Sequence, residues 1–203
     1  MIPRIEQKLE LNKNHYLDLL NWINRAGGKI LYPERIICSR YFDNKNMQMY
    51  FDTVEGIIPR KKIRLRTYGS ENFFSSDSQY SLEIKESTEH SRFKKTDSNI
   101  NLVTLLKEGY FDNFYGICNQ IIDISYVREY FLVKNIRVTI DKNIKYRLIN
   151  LNRKFKKTFS EDQSYVFEIK ADIDTNLSYL LNNFEFPRSR FSKYERALDA
   201  LLK

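Results

Sequence analysis

Three cations alternate along the segment Lys62-Ile-Arg-Leu-Arg66, and this spacing places all three side chains on one face of a β-strand. A strand that presents three cations to one side is suited to an anionic ligand. Two further segments, Glu83-Ile-Lys85 and Glu168-Ile-Lys170, each put a carboxylate and a lysine on one strand face. Because carboxylates beside cations can hold a phosphate together with a divalent metal, these residue types indicate a site for a phosphorylated ligand.

The composition limits the class of protein. With 203 residues, 42% of them hydrophobic, the chain is long enough for one domain with a core, and we expect a single domain over residues 1–203. The net charge of +8 favours polyanionic partners without choosing among nucleic acid, membrane surfaces and phosphates. Only Cys38 and Cys118 are cysteines, and residues 1–14 contain no apolar signal segment, so we expect a cytoplasmic protein. No apolar run approaches the roughly 20 residues of a spanning helix, which argues against direct membrane insertion.

Residue spacing predicts a strand, a helix and then a series of strands in the first half of the chain. Residues 4–11 alternate strictly between polar and apolar, and the spacing over 14–24 predicts a helix that stops at Gly27-Gly28. Alternation and turn residues predict further strands at 36–42, 47–51, 61–68 and 80–86.

The second half is predicted to begin with a helix and to return to strands. Ser98 is the expected cap of a helix that ends at Gly109, and residues 111–118 form either a short helix or an irregular connection. Predicted strands follow at 124–133, 136–141, 145–149 and 165–171, and predicted helices at 175–182 and 191–202. The segments 80–85 and 165–170 match at four of six positions, which is typical of two similar halves.

These elements predict an α+β fold in which eight or nine strands form an antiparallel β-barrel with flanking helices. Closing the sheet removes its edges, and a polar interior with an apolar, helix-covered outside accounts for both faces of the strands. An ordinary two-layer β protein remains the alternative, with the charged rows facing solvent and Ile63, Leu65, Leu82 and Ile84 inside. The recurrence of charges on strand after strand favours the polar interior.

Several segments carry a resemblance to the catalytic domain of the vacuolar transporter chaperone (VTC) family, within the CYTH-like triphosphate tunnel metalloenzymes. The segments are 41–44 with 49–50, 63–69, 82–85, 126–131, 137–141, 167–170 and 190–194, and the match runs nearly end to end. The resemblance implies an eight-stranded antiparallel triphosphate tunnel with a basic lumen. It also implies polyphosphate synthesis from ATP with a divalent metal, Mn²⁺ or Mg²⁺.

The resemblance also implies the residues of the site. The phosphate-binding positions expected in the lumen are Lys8, Arg64, Arg66, Lys85, Arg128, Arg137, Lys170, Arg190 and Lys193, of which the strand residues Arg64, Arg66, Lys85, Arg128 and Arg137 would bind the ATP triphosphate. Arg190 stands where the nearest characterised relatives typically carry lysine, which keeps the charge but changes its geometry. Glu168 matches the metal-binding glutamate. Glu83 is either a second metal-site carboxylate or the partner of a salt bridge with Lys85 or Arg64.

The first strand departs from the hydrolytic branch of the superfamily. That branch carries Glu-x-Glu-x-Lys, whereas this chain has Glu6-Gln-Lys8-Leu-Glu10, so the polymer-making branch fits better. Alternatives are a tripolyphosphatase or nucleoside triphosphatase, in which Glu6 or Glu10 orients water, and a noncatalytic polyphosphate- or nucleotide-binding module. No Ser/His/Asp or Cys/His set is evident, no nucleic-acid partner is expected, and any membrane role would need a partner protein.

Overall fold

The computed structural model describes residues 4–74, 79–89, 91–149, 156–172, 175 and 191–202, with side chains from Glu6 onward. The helices are α1 (Lys13–Arg25), α2 (Gln48–Glu55), α3 (Leu102–Glu108) and α4 (Lys193–Leu202). The strands are β1 (Arg4–Leu11), β2 (Lys29–Asp43), β3 (Arg60–Tyr68), β4 (Ser81–Ser87), β5 (Arg92–Asp97), β6 (Tyr110–Asp112), β7 (Gly116–Val133), β8 (Ile136–Leu148), β9 (Phe159–Asp162) and β10 (Tyr165–Asp172). Within these residues no helix is both long and apolar enough to cross a membrane.

The strands form one sheet whose main path contains eight of them. Their order is β1-β10-β8-β7-β2-β3-β4-β5, with β6 paired to β7 and β9 to β8. Strands β1, β10 and β8 pair antiparallel, as do β2, β3, β4 and β5. This mostly antiparallel path with flanking helices confirms the predicted α+β class. Closure of the sheet was also predicted, but β1 and β5 are the two ends of the path and do not pair with each other among the described residues.

The chain divides into two compact units. The first unit comprises Met1–Arg35, Tyr126–Ile144 and Asp162–Phe191, and the second comprises Ile36–Ser125, Lys145–Glu161 and Ser192–Lys203. Strands β2, β7, β8 and β9 contribute residues to both.

In the first unit, helix α1 covers an apolar sheet face. Asn12 caps the helix by accepting a hydrogen bond from the His15 backbone N–H, and Gly27, at φ +71°, follows its C-terminus as predicted. Leu19 and Ile23 of α1 are buried against every second residue of the strands, among them Leu9, Phe167, Ile169, Val138 and Ile140. The intervening residues of these strands form the opposite, polar face of the sheet.

In the second unit, helices α2 and α3 pack on a corresponding apolar face. Met49 of α2 and Leu105 of α3 are buried with Ile63 and Leu65 of β3 and Leu82 of β4. Because these apolar residues alternate with Lys62, Arg64, Arg66 and Glu83, the charged side chains lie on the face away from α2 and α3. The predicted division into an apolar, helix-covered face and a charged face therefore holds in each unit.

Several predicted elements differ from the observed ones. The prediction of a strand at 47–51 is wrong, because α2 begins there: the Asp43 carboxylate accepts hydrogen bonds from the backbone N–H groups of Met49 and Tyr50 and so caps the helix. Residues 111–118 lie in the β6–β7 hairpin rather than in a helix, and β5 and β9 were not predicted. The predicted helix at 175–182 lies outside the described residues except for Thr175.

Candidate phosphate-binding site

The polar face of the second unit carries a row of lysines across three adjacent strands. Lys62 of β3 lies opposite Lys85 of β4, and Lys85 lies opposite Lys94 of β5. Like charges directly opposite each other on one sheet face destabilise the sheet. Glu83 offsets part of this repulsion through Lys94, and a further anion beside the row would offset more of it.

Glu83 is the carboxylate of this face and is held by cations on both oxygens. Its Oε2 accepts hydrogen bonds from Arg64 Nε at 2.8 Å and Nη2 at 2.5 Å, and its Oε1 accepts one from Lys94 Nζ at 2.7 Å. Arg66 Nη1 lies 3.6 Å from Oε2. Burial raises the pKa of Glu83, but the charges of Arg64 and Arg66 outweigh it and lower the pKa to about 2. Glu83 thus remains ionised and fixes the guanidinium of Arg64 on this face.

Helix α4 begins beside the same face. Lys62 Nζ donates to Ser192 Oγ at 2.8 Å, which places the predicted site residue Lys193 at the first turn of α4. The next residue, Tyr194, stacks on Tyr41 with ring centroids 5.0 Å apart, and Arg64 Nη1 donates to the Tyr41 hydroxyl at 3.0 Å.

An aspartate fixes this tyrosine pair. Tyr194 donates its hydroxyl to the buried Asp43 carboxylate at 2.7 Å, the same carboxylate that caps α2. Burial raises the pKa of Tyr194, as does the neighbouring charge of Asp43. Two helices and the cation Arg64 are therefore connected through Asp43, Tyr194 and Tyr41.

In the first unit, two carboxylates and two lysines alternate on adjacent strands. Lys8 of β1 lies opposite Glu168 of β10, and Glu6 lies opposite Lys170. Lys170 Nζ is 2.9 Å from Glu168 Oε1 and 3.9 Å from Glu6 Oε2, whereas Lys8 Nζ is 2.9 Å from Glu6 Oε1 and 3.9 Å from Glu168 Oε2. The four charges form one cluster on the polar face.

The environment of Glu168 keeps it ionised. Burial raises its pKa, but the charges of Lys8 and Lys170 outweigh that effect and leave the pKa far below the usual carboxyl range. For Lys8, burial lowers the pKa, and the charges of Glu168 and Glu6 raise it above the ordinary lysine value.

Two arginines extend the polar face of the first unit. Arg128 makes a two-point contact with the buried Asp141 carboxylate, with Nε 2.5 Å from Oδ1 and Nη2 2.8 Å from Oδ2. Arg137 is exposed, lies opposite Lys170 in the register and has its guanidinium 5.6 Å from the Tyr130 ring centroid. Because Asp141 occupies two donors of Arg128, a phosphate would use its remaining N–H groups.

Glu83 and Glu168 differ in how well each could help to bind a divalent metal. No cluster of three or more His, Cys, Asp or Glu side chains able to hold a metal occurs among the described residues. At Glu168, Lys170 Nζ lies 2.9 Å from Oε1 and Lys8 Nζ lies 3.9 Å from Oε2, whereas both oxygens of Glu83 accept close hydrogen bonds. Glu168 therefore fits a Mg²⁺ or Mn²⁺ ion that takes its other ligands from phosphate and water, and Glu83 fits the salt-bridge interpretation.

The predicted site residues fall into two groups. Lys8, Arg128, Arg137, Glu168 and Lys170 lie in the first unit, and Arg64, Arg66, Lys85 and Lys193 lie in the second. Arg190 lies outside the described residues. Sequence reasoning missed Lys94, because β5 was not predicted, although the alternation in Arg92-Phe-Lys94 was available as a signal. It also gave no role to Tyr41, Asp43, Asp141 or Tyr194, whose contacts join residues distant in sequence.

The sheet and its charged faces define a class: a mostly antiparallel β protein with helices over its apolar faces. The family model of the VTC domain matches residues 3–114 and 117–202. The chain therefore belongs to the VTC domain family. No curated protein sequence matches the chain significantly.

One of two similar solved structures supports the fold. The X-ray structure of a putative adenylate cyclase from Vibrio parahaemolyticus is similar at a TM-score of 0.55 and 15% sequence identity, covering 97% of each chain. A chain in the structure of the Schizosaccharomyces pombe Mediator head module matches at a TM-score of 0.48 and 11% identity, covering 93% of this chain and 99% of that one. At 15% identity the first likeness shows the fold alone.

Proposed function

We propose that the protein is a metal-dependent polyphosphate polymerase that transfers the γ-phosphoryl group of ATP to a growing polyphosphate chain. Membership of the VTC domain family supports a protein that handles polyphosphate or nucleotides. The reaction is a phosphoryl transfer, which depends on alignment and on neutralisation of charge far more than on covalent catalysis.

The observation that carries the proposal is the set of like-charged positions on the polar faces. Lys62, Lys85 and Lys94 lie side by side in one unit, and Arg137 lies opposite Lys170 in the other. Glu83 and Glu168 neutralise part of this positive charge, and a chain of phosphates is a ligand that would neutralise many cations at once. A ligand with one isolated negative charge would not require rows of this length.

The arginines and lysines have different tasks in this proposal. Arg64 is held by Glu83, and Arg128 by Asp141, so each presents its remaining N–H groups in a fixed direction to phosphate oxygens. The lysines act as point charges that follow the phosphates along the sheet. An acceptor phosphate oxygen is already anionic at neutral pH, so the transfer needs no dedicated general base.

Glu168 is the residue that would hold the divalent metal. When bound there, Mg²⁺ or Mn²⁺ would neutralise the charge of the transferred group. Lys8 and Lys170 now contact Glu168, and phosphate oxygens are suitable alternative partners for both ammonium groups.

Hydrolysis of ATP or tripolyphosphate is the competing function. It would require a carboxylate that orients water, and Glu6 and Glu10 are the candidates on β1. Glu6 is engaged by Lys8 at 2.9 Å, and Glu10 accepts a hydrogen bond from Ser164 Oγ at 2.7 Å. We favour transfer because, unlike hydrolysis, it needs no carboxylate that orients water.

The test is incubation of the purified protein with ATP and Mn²⁺ or Mg²⁺, followed by separation of polymer, ADP and free phosphate. Glu168→Gln should reduce polymer formation on the order of 100-fold while leaving thermal unfolding cooperative. Glu161→Gln, the same change at an exposed glutamate of β9, is the matched control and should retain full activity.

Each product pattern has a clear meaning. Long polymer with stoichiometric ADP supports the polymerase. Free phosphate without polymer would replace the proposal with a hydrolase, and tight binding of ATP without turnover would replace it with a binding module. A fully active Glu168→Gln protein would refute the metal assignment.

A further inference from the structure

The second unit contains a cavity that lies away from its charged face. The cavity has a volume of about 200 Å³ and is lined by residues of β2, β7, β8 and β9 and by the loop that carries Phe73 and Phe74. Its β2 residues, Cys38 and Arg40, alternate with Ser39, which lies opposite Arg66 on the polar face. Because successive strand residues face opposite sides, the cavity is distinct from the candidate phosphate-binding site.

A buried ion pair forms the floor of the cavity. Arg40 is 5% exposed and contacts Asp123 through Nε and Nη2, each at 2.7 Å, while its Nη1 donates to Gln120 at 2.7 Å. The same guanidinium lies 4.1 Å from the Phe73 ring centroid and 4.7 Å from that of Phe74. Arg40 is thus neutralised and fixed, and its guanidinium makes cation–π contacts with the Phe73 and Phe74 rings.

The open side of the cavity presents aromatic surface. Phe74 is 54% exposed and Phe159 is 44% exposed, although both line the cavity. The Asn72 amide and the Ser125 hydroxyl also line it and can form hydrogen bonds with the edge of a planar ring. Exposed phenylalanine faces beside hydrogen-bonding groups are the combination on which a nucleobase stacks.

The rim is cationic. Arg147 is exposed and lines the cavity, and its guanidinium makes no ion pair or hydrogen bond with side chains in the described part of the chain. Lys145 contacts Glu71 at 2.9 Å, but both side chains are solvent-accessible, so an incoming anion can compete for the lysine. A ligand whose ring lies on Phe74 would bring an attached phosphate to these two cations.

We propose that this cavity is a second ligand site, specific for a nucleoside monophosphate, whose base stacks on Phe74 and whose phosphate pairs with Arg147 and Lys145. The volume is below the roughly 300–1,000 Å³ of pockets that enclose drug-sized ligands, so it accommodates the base and leaves the phosphate at the rim. The site is independent of the proposed phosphoryl transfer, because it shares no residue with the polar face.

The experiment is calorimetric titration of the full chain with AMP, adenosine and inorganic phosphate. Phe74→Ala and Arg147→Gln should each weaken AMP binding at least about tenfold, which corresponds to about 1.4 kcal/mol. Phe93→Ala and Arg25→Gln are matched controls at exposed positions outside the cavity and should leave the affinity unchanged. Arg66→Ala should also leave AMP binding unchanged, although it should weaken the binding of tripolyphosphate.

Three results would overturn the proposal. AMP affinity that is insensitive to both Phe74→Ala and Arg147→Gln would exclude this cavity as the binding site. Inorganic phosphate binding as tightly as AMP would exclude a role for the base, and adenosine binding as tightly as AMP would exclude a role for the rim cations. Expected instead is AMP binding tighter than that of either fragment.

Discussion

Replacing Lys85 with glutamine should have opposite effects on the stability of the protein and on its affinity for phosphate. Lys85 lies between Lys62 and Lys94 in the lysine row, so it takes part in two like-charged cross-strand pairs. Each such pair costs roughly 0.2–1 kcal/mol. Removing both should raise the free energy of unfolding by about 1 kcal/mol, which for a chain of this length raises Tm by about 2–4 °C.

Lys85→Gln should also reduce the stabilisation that bound tripolyphosphate provides. Tripolyphosphate at about 100 times its dissociation constant stabilises the wild-type protein by about 2.7 kcal/mol. If Lys85 contributes one charge contact, Lys85→Gln should weaken binding about tenfold and remove about 1.4 kcal/mol of that stabilisation. The variant should therefore unfold at a higher temperature than the wild type without ligand and gain less from the ligand.

The assay is thermal unfolding at low ionic strength, with and without tripolyphosphate. Lys95→Gln is the matched control, because Lys95 is exposed and lies opposite Ile84, on the other face of β5 from the lysine row. Lys95→Gln should change neither the Tm without ligand nor the increase in Tm caused by tripolyphosphate. Added salt should reduce the gain in stability of Lys85→Gln. A Lys85→Gln protein that is less stable without ligand and equally stabilised by tripolyphosphate would refute the reasoning from like-charged rows.

Four further substitutions test other contacts. Glu83 has a depressed pKa, so its contribution to stability is present above pH 4.5, the ordinary pKa, and is lost as the pH falls through about 2. The free energies of urea unfolding of the wild type and of Glu83→Gln should therefore differ most at neutral pH and converge in acid. A difference that stays constant with pH would contradict this. Tyr194→Phe leaves the buried Asp43 carboxylate with one donor fewer and should lower the free energy of unfolding by about 1–3 kcal/mol. Tyr115→Phe, which breaks the buried hydrogen bond to Asp52, should have a similar effect. If Tyr194→Phe left the free energy of unfolding unchanged, the hydrogen bond to Asp43 would not contribute to stability. Arg66→Ala should weaken tripolyphosphate binding about tenfold in calorimetry, and unchanged affinity would count against a ligand-facing arginine row.

The sequence predicted the elements whose signal is local. The alternation over 4–11 corresponds to β1, and the alternation in Lys62-Ile-Arg-Leu-Arg66 gave the correct face for each side chain because a strand has a period of two. The Gly27-Gly28 pair was correctly predicted to end α1, since a positive φ at Gly27 follows from local sterics.

The elements and contacts that the sequence did not predict depend largely on contacts between distant segments. Residues 47–51 look like a strand by composition, but Asp43 and Asn44 supply side-chain acceptors to the first backbone N–H groups of α2. Strand β5 has all six residues exposed, so it lacks the buried alternate positions by which a strand is recognised. No spacing rule connects Arg40 with Asp123, because their ion pair depends on the pairing of β2 with β7 in the sheet.

The two Glu-Ile-Lys segments show how one short pattern produces similar local structures that are suited to different chemistry. In each, the glutamate is buried among cations and the lysine lies opposite another cation: Glu83 with Lys85 in the second unit, Glu168 with Lys170 in the first. The difference lies in the neighbours, because both oxygens of Glu83 accept close hydrogen bonds, whereas Oε2 of Glu168 lies 3.9 Å from Lys8 Nζ. The same change to glutamine should therefore act mainly on stability and its pH dependence at Glu83, and mainly on metal-dependent turnover at Glu168.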